Sequence, residues 1–403
     1  MKFKGNYYLR IICNSQLFIL ALHNYNLNLT SMINQNLIYQ IGITLVKGIG
    51  NVIAKQIIDN LDDISLVFTE KKRLLERIPG LSRRIIAEIH KPEVLKRAEQ
   101  EILFIEKNKI IPLFITDLAY PKRLQECIDS PVMLYFRGNA DLNVVKITSI
   151  VGTRNASTYG RDMTDQLLYG IKEKFPDMLI VSGLAYGIDI IAHRAALREN
   201  LATVGVLAHG LDRIYPSAHR NTAVEMLNNG GLLTDFISNT NPDRQNFVKR
   251  NRIIAGIADC TIVVESAEKG GALITANIAD SYNRDLFAYP GKVGDRYSEG
   301  CNSLIKYRKA ALVTSAQDVF REMNWDIQAQ TAARKVVQQN LFIDLNPEEK
   351  MITDLLSKAE NMQLNILAIE LNWPISKLSG ALFELEMKGI VRCKPGGVYA
   401  LIN

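Results

Sequence analysis

The chain has 403 residues, 47% of them hydrophobic and 22% charged, with a net charge of +6. This is a globular composition, not a disordered one, and the length exceeds one ordinary domain, so two to four folded units are expected. The mild basic surplus permits a nucleic-acid partner without requiring one.

The five cysteines stand at 13, 127, 260, 301 and 393. None forms a C-x-x-C pair or lies near a histidine at ligand spacing. They read as free thiols in a reducing, cytoplasmic setting, with no metal site. No uncharged apolar run reaches 18 residues, so no membrane span is expected.

In residues 1–31, Lys2, Lys4 and Arg10 precede a short apolar run from Leu17 to Leu22. Asn14, Ser15 and Gln16 interrupt it, and no small-residue cleavage site follows. The segment reads as an extension upstream of the natural start or as a floppy tail, with Met32 opening the ordered sequence.

Residues 32–110 read as a helical domain. IGITLVKGIGNVIAKQIIDN (41–60) and LLERIPGLSRRIIAEIH (74–90) each place a Gly-containing hairpin between apolar-periodic helices. Both resemble the helix-hairpin-helix motif of SAM-like domains. There the hairpin glycines let backbone N–H groups approach a DNA phosphate. The first copy has Gly48 and Gly50, possible secondary DNA-binding positions. In the second, Ser82 replaces the second glycine after Pro79-Gly80. Residues 40–100 carry eleven Lys/Arg against eight Asp/Glu. A DNA-binding unit and a helical packing unit remain equally open.

Residues 111–325 form the next unit. From 147 onward short β-branched runs alternate with helical stretches: 147–151, 179–182, 203–208, 232–236, 261–265, 285–289 and 311–315. Such alternation predicts an α/β fold, a Rossmann-like, mostly parallel sheet covered on both faces. Residues 326–344 are Gln-rich and read as a linker. Residues 345–403 read as a winged helix. Ile375, Leu378, Leu382 and Leu385 share a helix face, and Pro395-Gly396-Gly397 turns a hairpin. This last unit has six Lys/Arg against seven Asp/Glu, which favours protein contact over DNA contact.

Gly152, Gly183, Gly187, Gly210, Gly270, Gly271 and Gly291 all fall at or just beyond the carboxyl ends of predicted strands. In an open parallel sheet that edge binds ligands, and glycine lets the backbone approach phosphate. One such loop is an ordinary turn; several on one edge point to a phosphate-bearing ligand.

The motifs VGTR (151–154), SGLAYGID (182–189), HRAAL (193–197), GLDRIYP (210–216), FVKRNRIIAG (247–256), VVES (263–266), GGALITA (270–276) and AYPG (288–291) occur in order. YPKRL (120–124) and PVMLYFRG (131–138) precede them, and EGCNSLI (299–305) follows. Over roughly 115–320 the chain resembles the DprA/Smf family of DNA-processing proteins. Val248, Thr234-Asp235-Phe236 and Lys309 depart from the usual pattern without touching its arginines or glycines.

The resemblance implies a non-enzymatic homodimer without cofactors. It implies that the protein protects incoming single-stranded DNA during natural transformation and loads RecA recombinase onto it. Single strands require cations for phosphates and planar groups for bases. The expected DNA-binding residues are Gly152, Thr153, Arg154, Gly183, Phe247, Lys249, Arg250, Asn251, Arg252, Gly270 and Gly271. Phe247 is equally read as core, and Arg250 and Arg252 as structural ion-pair partners. The resemblance favours DNA for Arg154, Lys249 and Arg250, on the floor of one groove.

Asp189 and His193 are four apart, the spacing of an acid–base pair, but helix capping and packing suit them better. The alternative is a nucleotide-processing enzyme related to phosphoribohydrolases. Against it, position 273 is Leu, no catalytic Glu follows, and no P-loop or dinucleotide fingerprint is present.

Overall fold

The computed structural model describes residues 36–326 and 345–401, apart from Asp62, Lys71, Pro79, Glu360, Pro395 and Gly396. The upstream segment 1–31, nearly all of the linker and two residues of the terminal hairpin turn lie outside the described residues. The chain divides into two compact units, Met1–Asp326 and Ile327–Asn403.

In the first unit nine strands form one sheet in the order β1-β2-β6-β5-β4-β3-β7-β8-β9. They are β1 Ile111–Phe114, β2 Met133–Gly138, β3 Ile147–Val151, β4 Leu179–Ser182, β5 Thr203–Val206, β6 Gly230–Thr234, β7 Cys260–Val263, β8 Asp285–Ala288 and β9 Ala311–Leu312. Strands β3 to β9 pair in parallel, and β1 and β2 add antiparallel beyond β6. The central strands are buried throughout because helices cover both faces, as their continuous Val/Ile/Leu runs require. The seven expected strands form, several starting or ending one to three residues away. Strands β1 and β2 were not among them.

The chain winds outward from β3 to β6, then crosses back to lay β7 on the other side of β3. The order reverses between β3 and β7. At such a switch the two following loops diverge and leave a crevice at the carboxyl ends of the strands.

The first hairpin joins a helix over 36–45 to the helix Asn51–Asn60, and the second precedes the helix Arg83–Ile89. The hairpins pack on one another: space beside Gly48 is filled by Ile85, and space beside Gly80 by Ile53 and Gln56. Polar ties hold this helical segment to loops around the sheet. Lys55 Nζ donates to the Cys127 carbonyl at 2.5 Å. From the helix Pro92–Lys107, the buried Glu101 carboxylate pairs with Arg97 at 2.8 Å and accepts from the Ser238 amide and hydroxyl at 2.9 and 2.6 Å.

The second unit has helices Pro347–Lys358, Leu364–Leu371 and Ile375–Met387 and a three-stranded sheet in the order β10-β12-β11. Its strands are β10 Met362–Gln363, β11 Val391–Lys394 and β12 Val398–Leu401. Leu378, Leu382 and Leu385 fill its core with Ile352 and Leu367. Ile375 does not join them: it is 52% exposed at the first turn of its helix, one turn short of the packed face.

Candidate nucleic-acid interface

A cleft of about 710 Å³ opens at the switch point. The loop after β3 gives Gly152, Thr153 and Arg154, and the loop after β7 gives Lys269, Gly270 and Gly271. The helix Arg244–Ile257 crosses between them with Arg244, Phe247, Arg250 and Asn251. Tyr215, Arg296 and Tyr297 complete the rim.

Four cations here are exposed: Arg154, Arg244, Lys269 and Arg296. None of them makes an ion pair among the described residues. The one carboxylate lining the cleft, Asp189, is buried beneath it. The helix Gly271–Ser281 starts at the cleft with no side-chain cap and no acidic residue in its first turn. Its amide end therefore adds partial positive charge.

Arg154 stacks its guanidinium on the Phe247 ring at 5.3 Å from the centroid, and Arg250 approaches the same ring at 5.8 Å. Such contacts are worth about 0.5–1 kcal/mol at exposed sites. They hold the half-buried ring upright between two cations. Tyr215 leans on the ring at 5.9 Å and is 47% exposed, so it presents an aromatic face to the cleft.

Arg250 lies under the floor and not on it. It is 3% exposed, and its Nη1 donates to the Gly183 carbonyl at 2.6 Å and to the Val206 carbonyl. Burial pulls its guanidinium down to about 10, with neighbouring Asp189 opposing that shift, so it stays charged at neutral pH. Burial raises the Asp189 carboxyl, and Arg250 and the Ala185 amide oppose the rise. The side chain ties the ends of β4 and β5 together from below.

Gly183 serves the same tie. A Cβ there would fall 2.4 Å from Arg250 Nη1 and 2.6 Å from Asp189 Oδ2. Likewise a Cβ on Gly152 would fall 2.4 Å from Ile188 Cγ1. At both positions the room left by glycine is occupied by protein. At Gly271 nothing lies within 4 Å of that point, and the backbone is open to a ligand.

Lys249 and Arg252 line a different cleft, about 760 Å³, between the sheet and the first helical hairpin. Gly50 lines that cleft as well, with Asn51 and Val52. Arg252 is held by Asp235 at 2.5 Å and by the Asp129 carbonyl. The expected residues thus divide. Gly152, Thr153, Arg154, Phe247, Asn251, Gly270 and Gly271 meet at the switch cleft, with Arg250 and Gly183 beneath it. Lys249 and Arg252 face the second cleft, because an α-helix turns successive residues by about 100°, and Gly50 lines it from the first hairpin. Gly48 packs against the second hairpin.

Asp189 and His193 do not form an acid–base pair. His193 shares its Nδ1 with Thr203 Oγ1 at 2.7 Å, and burial lowers its imidazole to about 3.

The family model described as DNA recombination-mediator protein A matches residues 71–324, and a DprA winged helix domain model matches 343–397. The DNA processing protein DprA of Streptococcus pneumoniae is 38% identical over 220 residues, 55% of this chain and 77% of that one. The X-ray structure of that protein aligns over 71% of this chain and 97% of its own, at 32% identity and a TM-score of 0.58. Protein Smf of a Synechocystis strain is 28% identical over 403 residues, 91% of this chain and 99% of that one. A Helicobacter pylori DNA processing protein A, whose structure is described for its single-stranded DNA binding mode, is 27% identical. It aligns over 54% of this chain and 97% of its own, with a TM-score of 0.49.

Proposed function

The chain belongs to the DNA recombination-mediator protein A family, and on that premise we propose that its switch-point cleft binds single-stranded DNA without chemical turnover. The observation that carries this is the lining: four exposed, unpaired cations around Phe247 and Tyr215, with the one carboxylate buried below. Cations neutralise phosphates and aromatic faces take unstacked bases; a flexible single strand can enter a crevice that a stiff duplex cannot.

Non-enzymatic action is supported by the same groups. A nucleotide hydrolase needs an accessible base near its operating pH, yet Asp189 is buried beneath the cleft and burial lowers the His193 imidazole to about 3. We further propose that the protein works in the cytoplasm as a homodimer and passes the strand to a RecA-type recombinase, in keeping with the family's description as a recombination mediator. Among the described residues no helix is long and apolar enough to cross a membrane.

The test is anisotropy of labelled single strands and blunt duplex against the full chain and its Arg154→Ala variant, titrated with salt. Single strands should bind better than duplex. Arg154→Ala should weaken binding and lower the salt slope by about 0.7, the value of one single-strand phosphate contact. Its melting temperature should stay close to that of the parent, because the side chain is exposed. Equal affinity for duplex, or wild-type binding by the variant, would place the site elsewhere.

A further inference from the structure

A second hollow, about 340 Å³, lies between the helices Thr158–Lys174 and Ile188–Arg198. Its polar lining is Arg154, Arg161, Arg194, Arg198, Asn155 and Asp165. Arg154 and Asn155 also line the switch cleft, so the two depressions adjoin through one loop. We infer that this hollow is a second phosphodiester subsite, which carries the backbone of a bound single strand onward from the switch cleft past Arg154. This rests on the switch cleft being the single-strand site.

Four guanidinium groups face one carboxylate, and that carboxylate is already engaged: Arg198 Nη2 reaches Asp165 Oδ1 at 3.0 Å. Among the described residues the Arg194 side chain donates through its Nε alone, to Thr222 Oγ1 at 3.3 Å, which leaves its two terminal amino groups for a ligand. The Arg161 side chain is exposed and makes no ion pair or hydrogen bond among the described residues. Arg194 and Arg198 stand four apart on one helix, a like-charge spacing that destabilises an isolated helix. Arg198 is compensated by Asp165 and by Glu199 at 3.3 Å, so the open charge lies on Arg161 and Arg194, and guanidinium forks match phosphate oxygens in pairs.

The lining also specifies what part of a strand fits. No aromatic side chain is among the residues around this hollow, whereas Tyr215, Phe247 and Tyr297 line the switch cleft. The first site suits bases together with backbone; the second offers only charge and suits backbone alone. Its contribution should therefore be independent of the bases.

The experiment measures the affinity of single strands of increasing length for the full chain and its Arg161→Ala/Arg194→Ala double variant, across a salt series. Strands long enough to fill only the switch cleft should bind both proteins equally. Longer strands should bind the parent more tightly while the double variant gains little. At that length the salt slope of the variant should be lower by about 1.4, two contacts at ~0.7 each. Replacing the extension by an abasic one should preserve the gain in the parent. A Lys96→Ala/Lys107→Ala variant, which removes two exposed charges from the helix Pro92–Lys107, should keep the full length dependence, and all variants should melt like the parent. A double variant that retains the length gain, or loses short and long strands equally, would overturn the second subsite. Absence of binding at every length by the parent would overturn the switch-cleft reading, and this one with it.

Discussion

Replacing Arg250 by Met separates a support under the floor from a ligand on it. The parent side chain is buried, donates to the Gly183 and Val206 carbonyls, and opposes the upward shift that burial imposes on the Asp189 carboxyl. Methionine fills similar space but leaves two carbonyls without that donor and Asp189 without its compensating cation. Leaving these buried acceptors unsatisfied beside a carboxyl that has lost its neighbouring cation costs about 3–5 kcal/mol in all, at ~1–3 kcal/mol per buried group. At roughly 2–4 °C per kcal/mol for a unit of this size, the melting temperature should fall by roughly 6–20 °C. Adding Asp189→Leu should restore part of the loss, because the uncompensated carboxylate is then gone.

The pH dependence has a definite sign. Burial already raises the Asp189 carboxyl above its unfolded value, and loss of Arg250 removes a group that opposes the rise. A carboxyl raised in the folded state contributes stability below its unfolded pKa, and that contribution is lost as pH rises through the folded value. The deficit of Arg250→Met should therefore narrow as pH falls from neutrality. Thermal melts of the parent, the single variant and the double variant over a pH series test this directly. An Arg250→Met protein that melts within about 2 °C of the parent yet loses one phosphate's worth of salt slope would refute the reasoning and make Arg250 a DNA ligand.

Other outcomes follow from the same geometry. Gly183→Ala forces a methyl against Arg250 and Asp189 and should cost about 1–3 kcal/mol of stability, read by chemical denaturation. Tyr215→Leu should weaken single-strand binding by ~1–3 kcal/mol at unchanged salt slope, the signature of lost stacking, whereas a lowered slope would argue against a stacking role. Phe247→Leu removes the ring that holds Arg154 upright, so it should reduce both affinity and salt slope while leaving the melting temperature nearly constant.

The parallel sheet was legible because its central strands are short β-branched runs closed by glycine or polar loops, and the Leu-rich runs beside them keep the same spacing. The antiparallel pair was not. Met133–Gly138 is nearly continuous in its apolar character, and periodicity alone does not assign such a run. At the site, Gly152, Arg154 and Phe247 stood out because they cluster in recognisable motifs. Arg244, Lys269, Tyr215 and Arg296 did not, since only the reversal of strand order brings these separate loops together. Arg250 was read on the wrong side of the floor because a buried arginine and an exposed one are the same letter. Its acidic neighbour Asp189 and the missing side chain at Gly183 lie some 60 residues upstream, and only the fold pairs them with it.

The buried Glu101 carboxylate fixes an order of events during synthesis. Its partner Ser238, in the loop after β6, lies 137 residues further along the chain. Until that residue has left the ribosome, Glu101 has only Arg97 to meet, and the face of the helix Pro92–Lys107 meant for the sheet stays wet. The helix Pro92–Lys107 must therefore wait for this tie while more than a hundred residues are translated, even though Lys55 can meet the Cys127 carbonyl much earlier, and such long-range closure slows folding and exposes apolar surface. Nascent chains arrested before Ser238 should be cut by protease within this helix, and chains arrested well beyond it should resist.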